Sequence, residues 1–583
     1  MTSVMTWATG LSIRDAEVIP VRKRPNSIAI VATVATLAAL LSGCTGIPRD
    51  SSVHQGQAIQ AGDSPAPVFL PSKPQKDASP EEILRGFIDA ATSPENKYAI
   101  AREFLTPAFG DVWQPDAGVT VDDGSDRTAL VMDEQTITLA VVPVADVNAS
   151  GEYSQIDVVA PVPLRYQFEQ VGGQWRISQA PNGTLLDLNT FTDVFSAQKL
   201  YFYDPTFTYL VPDQRWYPRG ATAPTRIVKG VLAGPSSWLD GAVTTAFPQG
   251  TELTADAVLV VGNDAKVDLN AEALNADRVT LQRMRAQLVS SLPAGTSVTV
   301  TINQNPQDIG DLGAAAPIVN PRVDARALVL RDGEFGFLAA TGQTITPIAG
   351  MSDAVALLNP TAVALSNKQT LAAALAPEGV YAVRVGNAPV VIDGRPGLIA
   401  PTVDNFGYVW TAQAASPSTL TVTNSSGDVS TVATPWSEAS RISSMQVSRD
   451  GTRLIALLGS GSDDTRFVVV GITRDGTVPV TLGDPVDLAS AEGTPLTATW
   501  IDELTVASLT RLPSGEERII AQRVGGTSSV LESAPDSMII TGGNSLRDVK
   551  SLSGTGALLI QRGAGWQERI DEVGLIGTQQ GTG

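Results

Sequence analysis

Across 583 residues there is one cysteine and one histidine, Cys44 and His54, and both sit in the stretch LAALLSGCTGIPRDSSVHQG at 37–56. A thiol is a nucleophile and an imidazole is a general base near neutral pH. One cysteine makes no intrachain disulfide, and one histidine rules out multi-histidine metal centres. Ser-His-Asp and Cys-His catalysis would both have to run through His54, which lies in a polar segment and reads as a bystander.

What remains is oxygen and cation chemistry. A wall-active hydrolase needs two carboxylates across a scissile bond, but with 60 acidic residues such pairs are unavoidable and carry no signal. DDGSD (Asp122, Asp123, Asp126) and Asp463-Asp464 cluster oxygens as calcium requires. Neither has the loop length or terminal bidentate glutamate of an EF-hand, so both read as exposed turns. Arg215, Arg219, Arg226 and Lys229, set against Asp213, form a basic patch in a chain of net charge −20. They are the candidate partner-binding residues, for an acidic partner or an anionic cell-wall polymer; the plainer reading is a solvated, salt-bridged helix face. Trp410, Trp436 and Trp500 suit either sugar stacking, as in a glycan- or muropeptide-binding protein, or core packing, and packing is preferred. The negative charge repels phosphate backbones, so nucleic acid is not an expected partner. No catalytic residue, metal or cofactor is assigned.

The elements that would position these groups begin with a leader. Arg22, Lys23 and Arg24 precede the uncharged run SIAIVATVATLAALL at 27–41, which is the length of a signal-peptide core and short for a membrane span. LSGC at 41–44 resembles the bacterial lipobox. That resemblance implies cleavage between Gly43 and Cys44, a diacylglycerol thioether on the Cys44 thiol and acylation of the new amino terminus. Residues 1–43 are thus a lipoprotein signal peptide, with Val21 an alternative start to Met1. Residues 44–78, rich in Ser, Pro, Gln and Gly, form a tether reaching roughly 30 Å.

Composition sets the rest. The chain exceeds what one core supports, and with 43% hydrophobic residues, few aromatics, 52 glycines and 38 prolines it predicts several turn-rich, largely β domains. A first domain spans 79–190. Ser79, Pro80 and Glu82 read as N-cap, N1 and N3 of a capping box, and Ile83, Leu84, Phe87, Ile88 and Ala91 follow at helical spacing. A second helix is predicted over 98–105, then strands over 135–144 and 154–162, and a hairpin in PLRYQFEQVGGQWRIS turning at Gly172-Gly173. Helices followed by a curved antiparallel sheet resemble the nuclear-transport-factor-like α+β cone. With no histidine available, an interaction or structural cone is expected here.

A second domain spans 193–305. TAPTRIVKGVLAGP opens with Pro224 in the first turn and stops at Gly234-Pro235; Ile227, Val228, Val231 and Leu232 share one face. ADAVLVVGNDAKVDL predicts two strands about a Gly262-Asn263-Asp264 turn. Asn275 is expected to cap a helix over 276–292 with Leu281, Met284, Leu288 and Leu292 on one side, and SVTVTIN closes the unit. LVPDQRWYPR, IVKGVLAGP and VDLN resemble the α/β GerMN domain of spore-germination proteins and lipoproteins, which implies no enzymatic role.

From 321 to 576 a degenerate repeat recurs, starting at Pro360, Ala400, Ile442, Pro495 and Leu546, each copy a strand, a polar turn and an apolar strand. The period suits four-stranded β-propeller blades, five of them clear and a sixth or seventh left open at the ends, with a pair of β-sandwiches as the alternative. Arg331-Asp332-Gly333, Arg449-Asp450-Gly451 and Arg474-Asp475-Gly476 supply hairpin turns. With AREFLTPAF and GVLAGPSSWLDGAV added to this order of domains, the chain resembles the LpqB family of actinobacterial lipoproteins. The resemblance implies a membrane-anchored extracytoplasmic protein that acts on the extracytoplasmic part of the sensor kinase MtrB, of the MtrA-MtrB two-component system, and so on cell-wall homeostasis and division.

Overall fold

The computed structural model describes residues 71–581, apart from 126, 157–159, 462–463, 533 and 564. The signal peptide, Gly43, Cys44, His54, Asp126, Asp463 and the tether up to residue 70 lie outside the described residues. The last residues read as tether are held by the first domain. Lys73 pairs with Glu103 at 2.8 Å, and Asp77 exchanges hydrogen bonds with the Gln174 side chain at 2.7 and 2.9 Å.

In that domain the capping box forms as its residue types require: Ser79 Oγ accepts from Glu82 N–H, and the Glu82 carboxylate accepts from Ser79 N–H. The helix Pro80–Ala90 buries Ile83, Leu84 and Phe87 against Trp113, Tyr166 and Ile177. The helix expected over 98–105 is shorter. A 3₁₀ turn, Glu95–Lys97, leads into Ala99–Arg102, and Thr106 then caps a separate helix, Pro107–Val112, because Pro107 fits only a first turn.

The hairpin Val162–Val171/Gln174–Gln179 turns at Gly172 and Gly173, both left-handed, and forms an antiparallel sheet with Thr128–Asp133 and Thr136–Val141. The apolar run at 135–144 is in fact two strands. Thr136–Val141 stays in this sheet, while Pro143–Asn148 crosses to a second sheet with Tyr153–Gln155, Gly118–Asp122 and Thr184–Asp187, the last two paired in parallel. Of the strand expected over 154–162, only Tyr153–Gln155 and the start of Val162–Val171 are strand among the described residues.

The second domain is α/β. Phe195–Tyr203 and Tyr209–Pro218 pair antiparallel over their whole length, and Ile318–Val319, beyond the span read from the sequence, adds in parallel at Tyr209. Asp264–Leu269 and Ser297–Ile302 are parallel neighbours joined by the helix Arg278–Ser291, a βαβ crossover. That helix is capped by Asp277, whose carboxylate accepts from Thr280 N–H at 2.7 Å, and not by Asn275, which ends the 3₁₀ turn Ala271–Asn275. Met284, Leu288 and Leu292 are buried as expected. The helix Ala223–Ala233 buries Ile227, Val228 and Val231 and stops at Gly234, at φ +101°.

Six sheets, counted among the described residues, make the last domain a propeller and not a pair of sandwiches. The sequence shows five repeats because the first blade is split. Leu328–Arg331, Glu334–Leu338 and Ile345–Thr346 come from its start, and the innermost strand, Val573–Ile576, comes from its end. Four of the five repeats hold the first two strands of a blade. The copy at Leu546 is one strand out of phase, since the sixth blade's inner strand, Ser537–Thr541, precedes it. The turns at Asp332-Gly333, Asp450-Gly451 and Gly476 are all hairpins, and the Arg449 side chain is in addition buried, donating to Ile501 O in the fifth blade at 2.6 Å and to Gly543 O and Asn544 in the sixth. Past the closing strand, Thr578–Gln579 runs parallel to the inner strand Ala362–Leu365, and Gln580 donates to Val403 O and Val447 O of the third and fourth blades, so the tail crosses the channel.

Two outcomes follow from this packing. Leu575, fully buried on the closing strand, is expected to cost about 2–5 kcal/mol when changed to Ala, read from chemical denaturation. Burial pushes the phenols of Tyr153 and Tyr166 up to about 12, whereas an unfolded phenol titrates near 10. Their stabilisation is therefore complete below pH ~10 and lost as pH rises towards ~12. Tyrosinate absorbance should rise together with the loss of circular dichroism in that window; ionisation of these two phenols ahead of unfolding would contradict it.

Candidate functional site

The motif LVPDQRWYPR folds as the strand Tyr209–Pro218, and its polar residues are not at the surface. Arg215 is 3% exposed: its Nε and Nη2 donate to Asp213 Oδ2 at 3.1 and 2.8 Å, and its Nη1 donates to Ser150 O of the first domain at 3.0 Å. Asp213 also accepts from the Ser236 N–H and hydroxyl. Arg215 is thus removed from the basic patch expected at the surface. The physical reason is that neighbours cover both faces of this strand, so its side chains show no polar-apolar alternation.

The same strand touches all three domains. Trp216 N–H donates to Gly151 O at 2.7 Å, and a Cβ on Gly151 would lie 2.8 Å from Trp216 O, so only glycine fits that approach. Gln214 Nε2 and Trp216 Nε1 both donate to Gly525 O of the propeller, at 2.8 and 2.9 Å. On the neighbouring strand Lys199 meets Glu503 of the propeller at 2.5 Å, and the Tyr201 hydroxyl donates to the same carboxylate at 3.1 Å. Burial, reinforced by the Glu503 charge, pushes the Tyr201 phenol far above its ordinary range. Arg453, fully buried, donates to Glu503 O at 2.8 Å from within the fourth blade.

The remaining patch residues divide. Lys229 is exposed on the helix Ala223–Ala233, whereas Arg219 and Arg226 line a cleft of about 950 Å³ between the first and second domains. Arg226 Nη2 donates to Asp116 Oδ1 at 2.9 Å across this cleft, and Arg219 Nη2 donates to Thr192 O at 3.3 Å. The opposite wall is a loop in which Asn96, Lys97 and Tyr98 are consecutively left-handed, at φ 49°, 57° and 60°. Each such residue costs roughly 1–2 kcal/mol. Arg102 holds the loop in place, donating to Lys97 O at 3.0 Å, to Trp113 O at 3.2 Å and to Gly110 O, with its guanidinium 5.4 Å from the centre of the Trp113 ring. Composition and spacing do not reveal this loop or Glu503. Arg102, however, lies in the motif AREFLTPAF, and Ser236 in GVLAGPSSWLDGAV.

The other candidates resolve individually. Asp122 is taken by Arg127, at 2.7 and 2.8 Å, and among the described residues no cluster of three or more His, Cys, Asp or Glu is arranged to hold a metal. Trp410, Trp436 and Trp500 are at most 2% exposed, with their N–H groups given to Asp404, Pro417 O and Gln446 O. They are packing residues. No helix of the described residues is long and apolar enough to cross a membrane. Glu503→Gln should cost about 1–3 kcal/mol, because the amide weakens its bonds to Lys199 and Tyr201 in a buried junction. A double-mutant cycle with Lys199→Met tests this, and additive effects would show that the two do not interact.

Comparison with known proteins gives these motifs a context. A family described as lipoprotein LpqB, N-terminal domain, matches residues 73–192; one described as sporulation and spore germination matches 199–308; and the lipoprotein LpqB beta-propeller domain matches 336–574. Relatives named lipoprotein LpqB include those of Mycolicibacterium smegmatis, 29% identical over 76% of this chain and 80% of theirs, and of Streptomyces coelicolor, 26% identical over 87% and 89%. That of Thermobifida fusca is 26% identical over 82% of this chain and 87% of its own. A solved virginiamycin B lyase from Staphylococcus aureus aligns at 12% identity and a TM-score of 0.27 over 38% of this chain and 89% of its own, a likeness that carries no functional argument. With its three domains matched in order and its relatives collinear over most of their length, the chain belongs to the LpqB family of lipoproteins.

Proposed function

We propose that this lipoprotein is anchored through a lipid on Cys44 at the extracytoplasmic face of the membrane and there binds the extracytoplasmic part of the sensor kinase MtrB. Through that contact it modulates the MtrA-MtrB two-component system and, with it, cell-wall homeostasis and division. The observation that carries this reading is family membership extending over all three domains. The geometry is consistent with recognition. Three domains meet on one buried strand, and the cleft of about 950 Å³ is lined by four cations against two carboxylates, with Asp116 engaged by Arg226. Hydrolysis has less support: of the two carboxylates in that cleft, Glu95 and Asp116, the second is engaged by Arg226. A glycan-binding propeller face has less support too, because Trp410, Trp436 and Trp500 offer no open ring to a sugar.

Affinity capture from solubilised membranes provides the test. The kinase is expected to copurify with the lipidated protein and to be lost when Cys44→Ala cells are used, while the purified domains still bind the kinase's extracytoplasmic part. Recovery of no kinase, together with cleavage or retention of wall fragments by the purified protein, would overturn the reading.

A further inference from the structure

We infer that the cleft between the first and second domains is a binding site for a short acidic peptide segment, with a ligand carboxylate replacing Asp116 at Arg226. This deepens the recognition reading above and rests on it only in taking the chain to be a binding protein. Lys97, Arg102, Arg219 and Arg226 line the cleft against Glu95 and Asp116, a cationic excess in a chain of net charge −20. The contact that spans it is exchangeable. Arg226 grips Asp116 through a single N–H, at 2.9 Å, and the two side chains are 32% and 55% exposed. A guanidinium held by one edge leaves its other donors for a second carboxylate, and a singly bonded exposed pair is weak.

The wall beneath carries a buried donor that has no acceptor. Trp113 Nε1 is without a hydrogen-bond partner, on a side chain 2% exposed. Buried donors are normally satisfied, so this one calls for an acceptor from outside, such as a peptide carbonyl. The left-handed run Asn96-Lys97-Tyr98 lines the same cleft as Trp113 and is held by Arg102, which donates to Lys97 O at 3.0 Å. Size and shape narrow the class. About 950 Å³ is at the top of the range for ligand pockets and holds a few residues of extended chain. A sugar would want an open aromatic face, and Tyr98 and Trp113 present none.

The test uses the full-length protein in detergent and a fluorescein-labelled peptide of five residues rich in Asp and Glu, with its Asn/Gln counterpart as control, read by fluorescence anisotropy. The acidic peptide should bind about tenfold or more tightly than the amide version, and Arg226→Gln should lose about tenfold or more. Asp116→Asn, which releases Arg226, should tighten binding several-fold. Lys229→Gln, outside the cleft, should change nothing. Equal binding of the two peptides, no effect of Asp116→Asn, or an equal loss in Lys229→Gln and Arg226→Gln would overturn the proposal. If Arg226→Gln melts early, the Asp116→Asn and Lys229→Gln results decide alone. Peptide binding without kinase capture would refute only the kinase partner, and kinase capture without peptide binding only the cleft.

Discussion

A carboxylate removed from water is tolerable only when its oxygens are filled, and those of Asp213 accept from the Arg215 guanidinium and from the Ser236 N–H and hydroxyl. That constraint fixes more than one side chain. Arg215, immobilised on Asp213, spends its remaining amino group on Ser150 O and so sets the first domain against the second. Successive residues of a strand face opposite ways. Gln214 and Trp216 therefore point away from the ion pair and bring the propeller in through a single carbonyl, Gly525 O. A Cβ on Gly525, which is left-handed at φ +76°, would lie 3.2 Å from Gln214 O, so the propeller loop approaches this strand closely there.

Polar groups play a comparable part inside the propeller, where they set the spacing of blades whose apolar faces would otherwise slide. Asp404, Asp450 and Asp502 each follow an inner strand and accept from the backbone of the turn they start. Asp404 also takes the Trp410 N–H and Arg474, in an ion pair at 2.7 Å with neither side chain exposed. Asp450 takes Arg453, whose guanidinium stands 4.9 Å from the Trp500 ring centre of the next blade. The fourth blade is thus tied to the third and to the fifth by a directional contact in addition to area.

Local chemistry was legible and long-range coverage was not. Ser79 and Glu82, Gly172-Gly173, the Ile227 face and the repeat of the last domain all follow from spacing that a few neighbouring residues determine. Arg215 reads as a surface cation because nothing in PDQRWYPR shows that another domain lies over it; its buried partner is two residues away, but Ser150 is far off in sequence. The cleft was half visible. Arg219 and Arg226 belong to it, while the loop opposite carries Asn96, Lys97 and Tyr98 in left-handed conformations, and the sequence pattern reads Tyr98 as the start of a helix. The first blade was hidden for a different reason: a repeat divided between the two ends of a domain leaves no complete copy to count.

That division also orders events in time. Val329 pairs with Ile576 across nearly the whole propeller, so no blade-one sheet is complete until the last strand is available. A chain made from its amino terminus can fold the first two domains early. The half-ring beside them must wait, with the Leu328–Arg331 strand offering unpaired backbone groups to any passing strand. The ring closes last, when Val573–Ile576 fills that edge and Gln580 crosses the channel behind it. The interval before closure is when this protein is most exposed to mispairing, and the final few residues decide how long it lasts.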